Sequence, residues 1–191
     1  QAFLIYAMAE YYLCTGNTEA LKMAQTTFML LDQFALDRDY GGYFEVCNRN
    51  WSLAEDQRLG ENDMNEKKSM NNHLHLLEAF STLYRAWNHP KIGEQLQSVI
   101  LLFCNTILDA DNSHLILFFD QAWNRKSNTI SFGHDIEASW LLCEAADALG
   151  DPMVKEKAES AAMKIAHVTY DNAINPRGGL FYEVNGDGRL N

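Results

Sequence analysis

Two histidine–carboxylate pairs carry the chemistry this sequence can offer. In Ser131-Phe132-Gly133-His134-Asp135-Ile136-Glu137-Ala138-Ser139-Trp140-Leu141-Leu142 a glycine-led loop gives way to a helical run, with His134 and Glu137 one turn apart. In Asn71-Asn72-His73-Leu74-His75-Leu76-Leu77-Glu78-Ala79-Phe80 the pair His75 and Glu78 repeats that spacing at the head of a second apolar run. Residues i and i+3 share a helix face, so each pair reaches into one space. Two imidazoles delivered by two helices point to proton transfer or to metal binding. The residues alone leave both open, because His75, Glu78, His134 and Glu137 also have the pattern of a di-iron or zinc ligand set. His73 lies two positions before His75, points about 160° away from it on a helix, and is read as structural. Glu78 is read as a partner for His75, Arg85 or Lys67.

Helices must position these groups, and periodicity predicts six. The first covers residues 1–14, apolar almost all round, and stops at Gly16-Asn17. Thr18 is the expected N-cap of the second, which runs to about Leu36. The third spans roughly Ser69 to Trp87, ended by Asn88-His89-Pro90. A fourth carries Ile92, Leu96, Val99, Ile100, Phe103 and Ile107 as one stripe. His134 to Leu149 is the fifth, closed by Gly150, and Asp151-Pro152 opens a sixth with Val154, Ala158, Ala161, Ala162 and Ile165 on one face.

Short strand signals separate the helix pairs. Asp39-Tyr40-Gly41-Gly42-Tyr43-Phe44-Glu45-Val46 recurs as Pro176-Arg177-Gly178-Gly179-Leu180-Phe181-Tyr182-Glu183-Val184, more loosely as Asp111 to Phe119. A period of about 65 to 70 residues predicts helical-hairpin repeats over about 1–65, 66–130 and 131–191. The first helix of each hairpin is apolar on most faces and the second is one-sided, so the first belongs inside and the second covers it. The expected fold is all-α: a double-layered toroid with helices 1, 3 and 5 parallel inside, amounting to half of a twelve-helix ring. Parallel inner helices bring their N-termini to one end, where Asn71, His75, His134 and Glu137 fall together. Converging helix dipoles there favour neutral histidine and stabilise developing negative charge, which suits a base forming an enolate-like anion. The aromatic residues Tyr43, Phe44, Phe118, Phe119, Phe181 and Tyr182 are read as hairpin packing.

Composition narrows the partners. The 191 residues are 47% hydrophobic and carry a formal charge of −11, with no cluster of Lys and Arg, which argues against nucleic acid or an anionic membrane surface and favours a neutral or cationic small molecule. Cys14, Cys47, Cys104 and Cys143 show neither a zinc nor a disulfide spacing, and the three in helical runs are expected to be buried free thiols. No segment reads as a membrane span or a secretory leader, so the expected location is cytoplasmic and Asn50-Trp51-Ser52 is a chance sequon. The chain opens inside a helix at Gln1 and stops in a turn-rich segment at Asn191, the expectation for an internal piece of a longer protein.

The stretches Lys68 to Ala79 and Ser131 to Ala145, with Gln1-Ala2-Phe3, Tyr40 to Glu45 and Gly178 to Glu183 in order and spacing, resemble the cellobiose 2-epimerases of the N-acylglucosamine 2-epimerase superfamily across the whole chain. The resemblance implies an (α/α)6 barrel. It also implies an enzyme that interconverts the glucose and mannose configurations at the reducing end of β-1,4-linked disaccharides such as cellobiose and lactose, without a metal or organic cofactor. On that pattern His134 is an acid/base histidine working through a cis-enediolate, Glu137 orients it, Asn71 and His75 hold sugar oxygens, and Asp63 is a further sugar contact. The family's substrate-binding arginine and tyrosine precede residue 1. Its second catalytic histidine and its sugar-stacking tryptophans follow residue 191. The alternatives are an N-acylglucosamine or mannose 2-epimerase or aldose–ketose isomerase of the same superfamily, which resemble Asp135 to Trp140 less well, and an inactive sugar-binding or structural fragment.

Overall fold

A computed structural model describes residues 1–61, 63–185 and 188–189. Helices come in antiparallel pairs: α1 (Ala2–Thr15) with α2 (Thr18–Phe34), α3 (Met70–Ala86) with α4 (Pro90–Leu102), and α5 (Phe132–Leu149) with α6 (Pro152–Ala173). α1, α3 and α5 lie side by side as the inner layer with α3 in the middle, and each is backed by its own partner. Local chemistry sets the ends. Gly16 and Gly150 close α1 and α5 in the left-handed region, at φ of 72° and 75°. Asp151 caps α6, its carboxylate accepting from the Met153 and Val154 amides, and Pro152 takes the first turn.

Three local findings depart from the sequence expectations, besides the exposed apolar faces of α1 and α5. The cap of α2 is Asn17, whose Oδ1 accepts from the Glu19 and Ala20 amides, and Thr18 is already helical. α4 ends at Leu102 and continues as a π-helical turn, Phe103–Ile107, in which the Leu108 amide reaches back to the Phe103 carbonyl. Among the cysteines Cys14 is exposed and Cys104 and Cys143 are only half-buried; all four are free thiols.

An equivalent turn follows each outer helix. The Asp37 amide bonds the Gly42 carbonyl, Asp109 that of His114, and Asn175 that of Gly179. In each case the leading Asp or Asn side chain accepts from the amide two residues on, an Asx-turn. After two of these turns the chain pairs with the residues that lead into that pair's inner helix. β1 (Lys68–Ser69) is antiparallel to β2 (Phe118–Phe119), and β3 (Ile130–Ser131) to β4 (Glu183–Val184). These two-residue clips hold the N-terminal ends of α3 and α5 at one rim.

The core lies between the layers. Phe28, Leu74, Leu77, Phe80, Leu83, Ile92, Leu96, Ile100, Phe103, Leu142, Ala145 and Ile165 are all fully buried. α3 is buried on most faces, as an interior helix requires. Its neighbours are not: Phe3, Leu4, Tyr11 and Leu13 of α1 and Ile136 and Trp140 of α5 stay exposed, so apolar character all round a helix does not by itself bury it here.

Beneath the rim lies a buried charge. The Lys68 ammonium, with no exposed surface, sits 2.8 Å from Asp37 Oδ2, donates to the Gly41 and Gln121 carbonyls at 2.7 Å, and lies 4.7 Å from the Trp123 ring centre. Burial pushes the ammonium below its ordinary pKa against the pull of Asp37. Burial also acts to raise the Asp37 carboxyl, but Lys68 and the Tyr40 and Asp39 amides outweigh it and hold that group below its usual value. Buried His73 stands beside this pair, as expected of a structural residue: Nδ1 donates to the Ser69 carbonyl at 2.7 Å, and Nε2 accepts the Tyr43 amide at 2.9 Å. Desolvation drives its pKa down to about 4, so the ring is neutral. At Gly42, φ is 72° and a Cβ would overlap both His73 and Trp123.

Lys68→Met is expected to lower folding stability by about 3–5 kcal/mol, because it leaves the Asp37 carboxylate buried and unpaired. The double change Lys68→Met, Asp37→Leu should recover part of that loss in denaturant titrations. Equal losses in the two variants would contradict the pairing.

Candidate active site

His134 occupies the first turn of α5. Ser131 is the N-cap residue, yet its hydroxyl does not cap the helix; it lies 2.8 Å from His134 Nδ1. With Nδ1 engaged there, Nε2 remains for the cleft that His134 lines. Asp135 points the opposite way and is fully buried: Oδ1 accepts the Leu115 amide at 2.9 Å, and Oδ2 lies 2.7 Å from Nδ1 of buried His114. That carboxylate ties α5 to the turn after α4 and fixes the rotation of α5 that presents His134. Glu137 is half-buried, makes no hydrogen bond or ion pair among the described residues, and lines neither cleft described below. The contact that orients His134 in this structure therefore comes from Ser131 and not from Glu137.

On α3, His75 and Asn71 are half-buried and share one side. His75 Nδ1 lies 3.5 Å from Glu78 Oε2, and Phe3 of α1 packs on the imidazole with ring centres 4.5 Å apart. Arg85 pairs instead with Glu144 of α5, at 2.8 Å. Asn71 makes no side-chain hydrogen bond among the described residues, so its amide is available to a ligand.

These groups line two adjoining clefts at the rim. One, of about 280 Å³, has His75, Asn71, Asn72, Phe3, Phe44 and Trp51 in its walls. The other, of about 220 Å³, has His134, Ser131, Asp63, Phe118, Tyr182 and Glu183. Glu45, Leu59 and Asn71 belong to both and form the shared wall. The pair together reaches the size of small-ligand sites, roughly 300–1,000 Å³. Asp63 also accepts the Gly60 amide at 2.7 Å. Phe44, Phe118 and Tyr182 thus line the clefts, as does Tyr43 although it is buried, whereas Phe119 is the buried hairpin packing expected of all of these aromatics. Among the described residues no three His, Cys, Asp or Glu side chains converge as a ligand set, and the fold leaves His75 and His134 in separate clefts.

Sequence reasoning missed Glu45. Its Oε2 accepts from the Ser69 hydroxyl at 2.6 Å, and Ser69 Oγ in turn accepts the Asn72 amide as the cap of α3. Desolvation, with Asp63 nearby, pushes the Glu45 carboxyl up to about 7 against the Ser69 hydrogen bond. A signal was present: Glu45 and Glu183 end the two matching Gly-Gly hairpin segments, and both line the His134 cleft.

A half-ring of paired helices with imidazoles and neutral amides at one rim defines the class: a partial (α/α)6 barrel with two adjoining clefts at that rim. The sequence model of the N-acylglucosamine 2-epimerase (GlcNAc 2-epimerase) family matches residues 1–191, and the chain belongs to that family. It is 44% identical over 183 residues to a cellobiose 2-epimerase of Bacteroides fragilis, covering 96% of this chain and 46% of that protein. It is 38% identical over 173 residues to one of Ruminococcus albus, covering 91% and 44%. The solved cellobiose 2-epimerase of Bacillus thermoamylovorans superposes with a TM-score of 0.93 at 33% identity, covering all of this chain and 48% of that one. The chain spans about half the length of the curated relatives it matches.

Replacing Asp135 by Ala strands the His114 imidazole and the Leu115 amide, and is expected to cost about 2–4 kcal/mol of folding stability. Glu137→Ala, which removes no partner, should stay within about 0.5 kcal/mol. Denaturant unfolding of the two variants checks this; equal effects would refute the division of roles within the motif.

Proposed function

We propose that the complete protein epimerises the reducing-end glucose of β-1,4-linked disaccharides at C2, converting cellobiose to glucosyl-mannose and lactose to epilactose. The observation that carries this reading is the His134 imidazole, held at Nδ1 by Ser131 and lining a cleft shared with Asn71 and Asp63. In the proposed reaction the sugar opens to its aldehyde and His134 exchanges a proton with C2. A cis-enediolate carries the negative charge on O1 and O2, and protonation from the other face of C2 completes the inversion. No atom is gained or lost. Asn71 and His75 hold the sugar oxygens, with the amide stabilising the enediolate as a pre-positioned donor. Asp63 contacts a sugar hydroxyl. Glu137 is assigned the support of the His134 imidazole once substrate is bound.

The names of the relatives at 44% and 38% identity favour a disaccharide over a simple hexose or an N-acyl sugar. Full-length protein in deuterated water should place deuterium at C2 of cellobiose faster than at C2 of mannose or N-acetylglucosamine. His134→Ala should slow that exchange by about 100-fold or more, the scale of a lost acid/base group, and Ser131→Ala by about tenfold through misorientation. Exchange at full rate by folded His134→Ala would defeat the assignment. Faster exchange of the monosaccharides would move the specificity to another branch of the family.

A further inference from the structure

Glu45 is a carboxyl at the rim that none of the roles above uses, and it alone of the unused carboxyls lines both clefts. It lies on the wall common to the His75 and His134 clefts, next to Asn71. The carboxyl is anchored at Oε2 by the Ser69 hydroxyl at 2.6 Å, and the Ser69 backbone amide also supports it. Ser69 is itself fixed as the cap of α3 by the Asn72 amide at 3.0 Å. The carboxyl is therefore held by the scaffold in the wall that the two clefts share.

We propose that Glu45 is a substrate-contacting residue that hydrogen-bonds a hydroxyl of a neutral sugar held between Asn71 and His134. This rests on the sugar-epimerase reading above. The titratable groups around it are Tyr43 and Cys47 on its own hairpin, Asp63 from the loop before β1, His75 of α3, His134 of α5, and Tyr182 and Glu183 at β4. The neighbouring Lys68 ammonium is already committed to Asp37, Gly41 and Gln121. Burial and Asp63 keep the Glu45 proton on until pH approaches about 7. In that form the carboxyl both donates to and accepts from a hydroxyl; the anion only accepts. Asp63 and Glu183 beside the His134 cleft, joined by Glu45 once it ionises, also repel anionic sugars, so the surroundings favour uncharged polyols.

The sign follows from the raised pKa: binding aided by the protonated carboxyl is fully present below about pH 5 and fades as pH rises through about 7. The test is calorimetric binding of the alditol of cellobiose, which lacks the reactive carbonyl, to full-length wild type, Glu45→Gln and Glu45→Ala at pH 5.5 and 8.5. Histidine titration is common to all three proteins, so the ratio of wild-type to variant affinity isolates Glu45. Wild-type affinity relative to Glu45→Gln, which keeps an acceptor for Ser69 and mimics the protonated form, should fall about tenfold between the two pH values, about one hydrogen bond. Glu45→Ala should bind about tenfold more weakly than wild type at pH 5.5, with folded protein verified by its unfolding transition. A ratio independent of pH, or wild-type affinity in folded Glu45→Ala, would overturn the proposal, as would absence of alditol binding by wild type at millimolar concentration. Exchange at C2 is read separately, so wild type that binds the alditol without exchanging cellobiose would defeat the epimerase reading alone.

Discussion

Three loops must meet before the inner helices can share a cavity, and the Lys68 ammonium is where they meet. It joins the turn after α2 through Asp37 and the Gly41 carbonyl, the segment after β2 through the Gln121 carbonyl, and the strand that leads into α3 through its own backbone. A buried ammonium is tolerated only when fully satisfied, so these loops cannot drift independently. His73, Tyr43, Gly42 and Trp123 fill the space around it, and Ser69, the next residue, caps α3 and anchors Glu45. The positions of Asn71 and His75 in the first turns of α3 follow from that junction.

The same division of labour recurs on α5. Adjacent residues of one motif face opposite ways. His134 looks into a cleft, while Asp135 is buried against His114 and Leu115 and sets the rotation of the helix. A serine precedes both α3 and α5: Ser69 serves the cap and Glu45, and Ser131 serves His134. One hydroxyl in one backbone position is thus put to different uses, according to which side chain the neighbouring hairpin delivers to it.

Much of the fold was legible. Gly16, Gly150, Pro90 and Asp151-Pro152 punctuate helices for reasons local to the backbone, and those ends agree with the structure. Misses occurred where locality fails. Asn17 and Thr18 are both good caps, and only the path of the incoming chain chooses between them. The stripe from Ile92 to Ile107 continues without a break, so nothing in the pattern marks the change to a π turn at Phe103. Apolar faces of α1 and α5 read as interior, but exposure depends on what neighbours lie beside them.

The sequence by itself determined the helical hairpins, the spacing of Asn71, His75 and His134 within their motifs, and a net negative charge, because periodicity, caps and composition are properties of short stretches. Only the tertiary structure decided that Ser131 contacts His134, that Asp135 is a structural carboxylate, that Glu137 stands apart from both clefts, and that Glu45 joins Leu59 and Asn71 in their common wall. Those facts join residues far apart in the chain or choose between faces of one helix. A one-dimensional pattern records the spacing of such groups, but their partners and their desolvation exist only once the hairpins have packed.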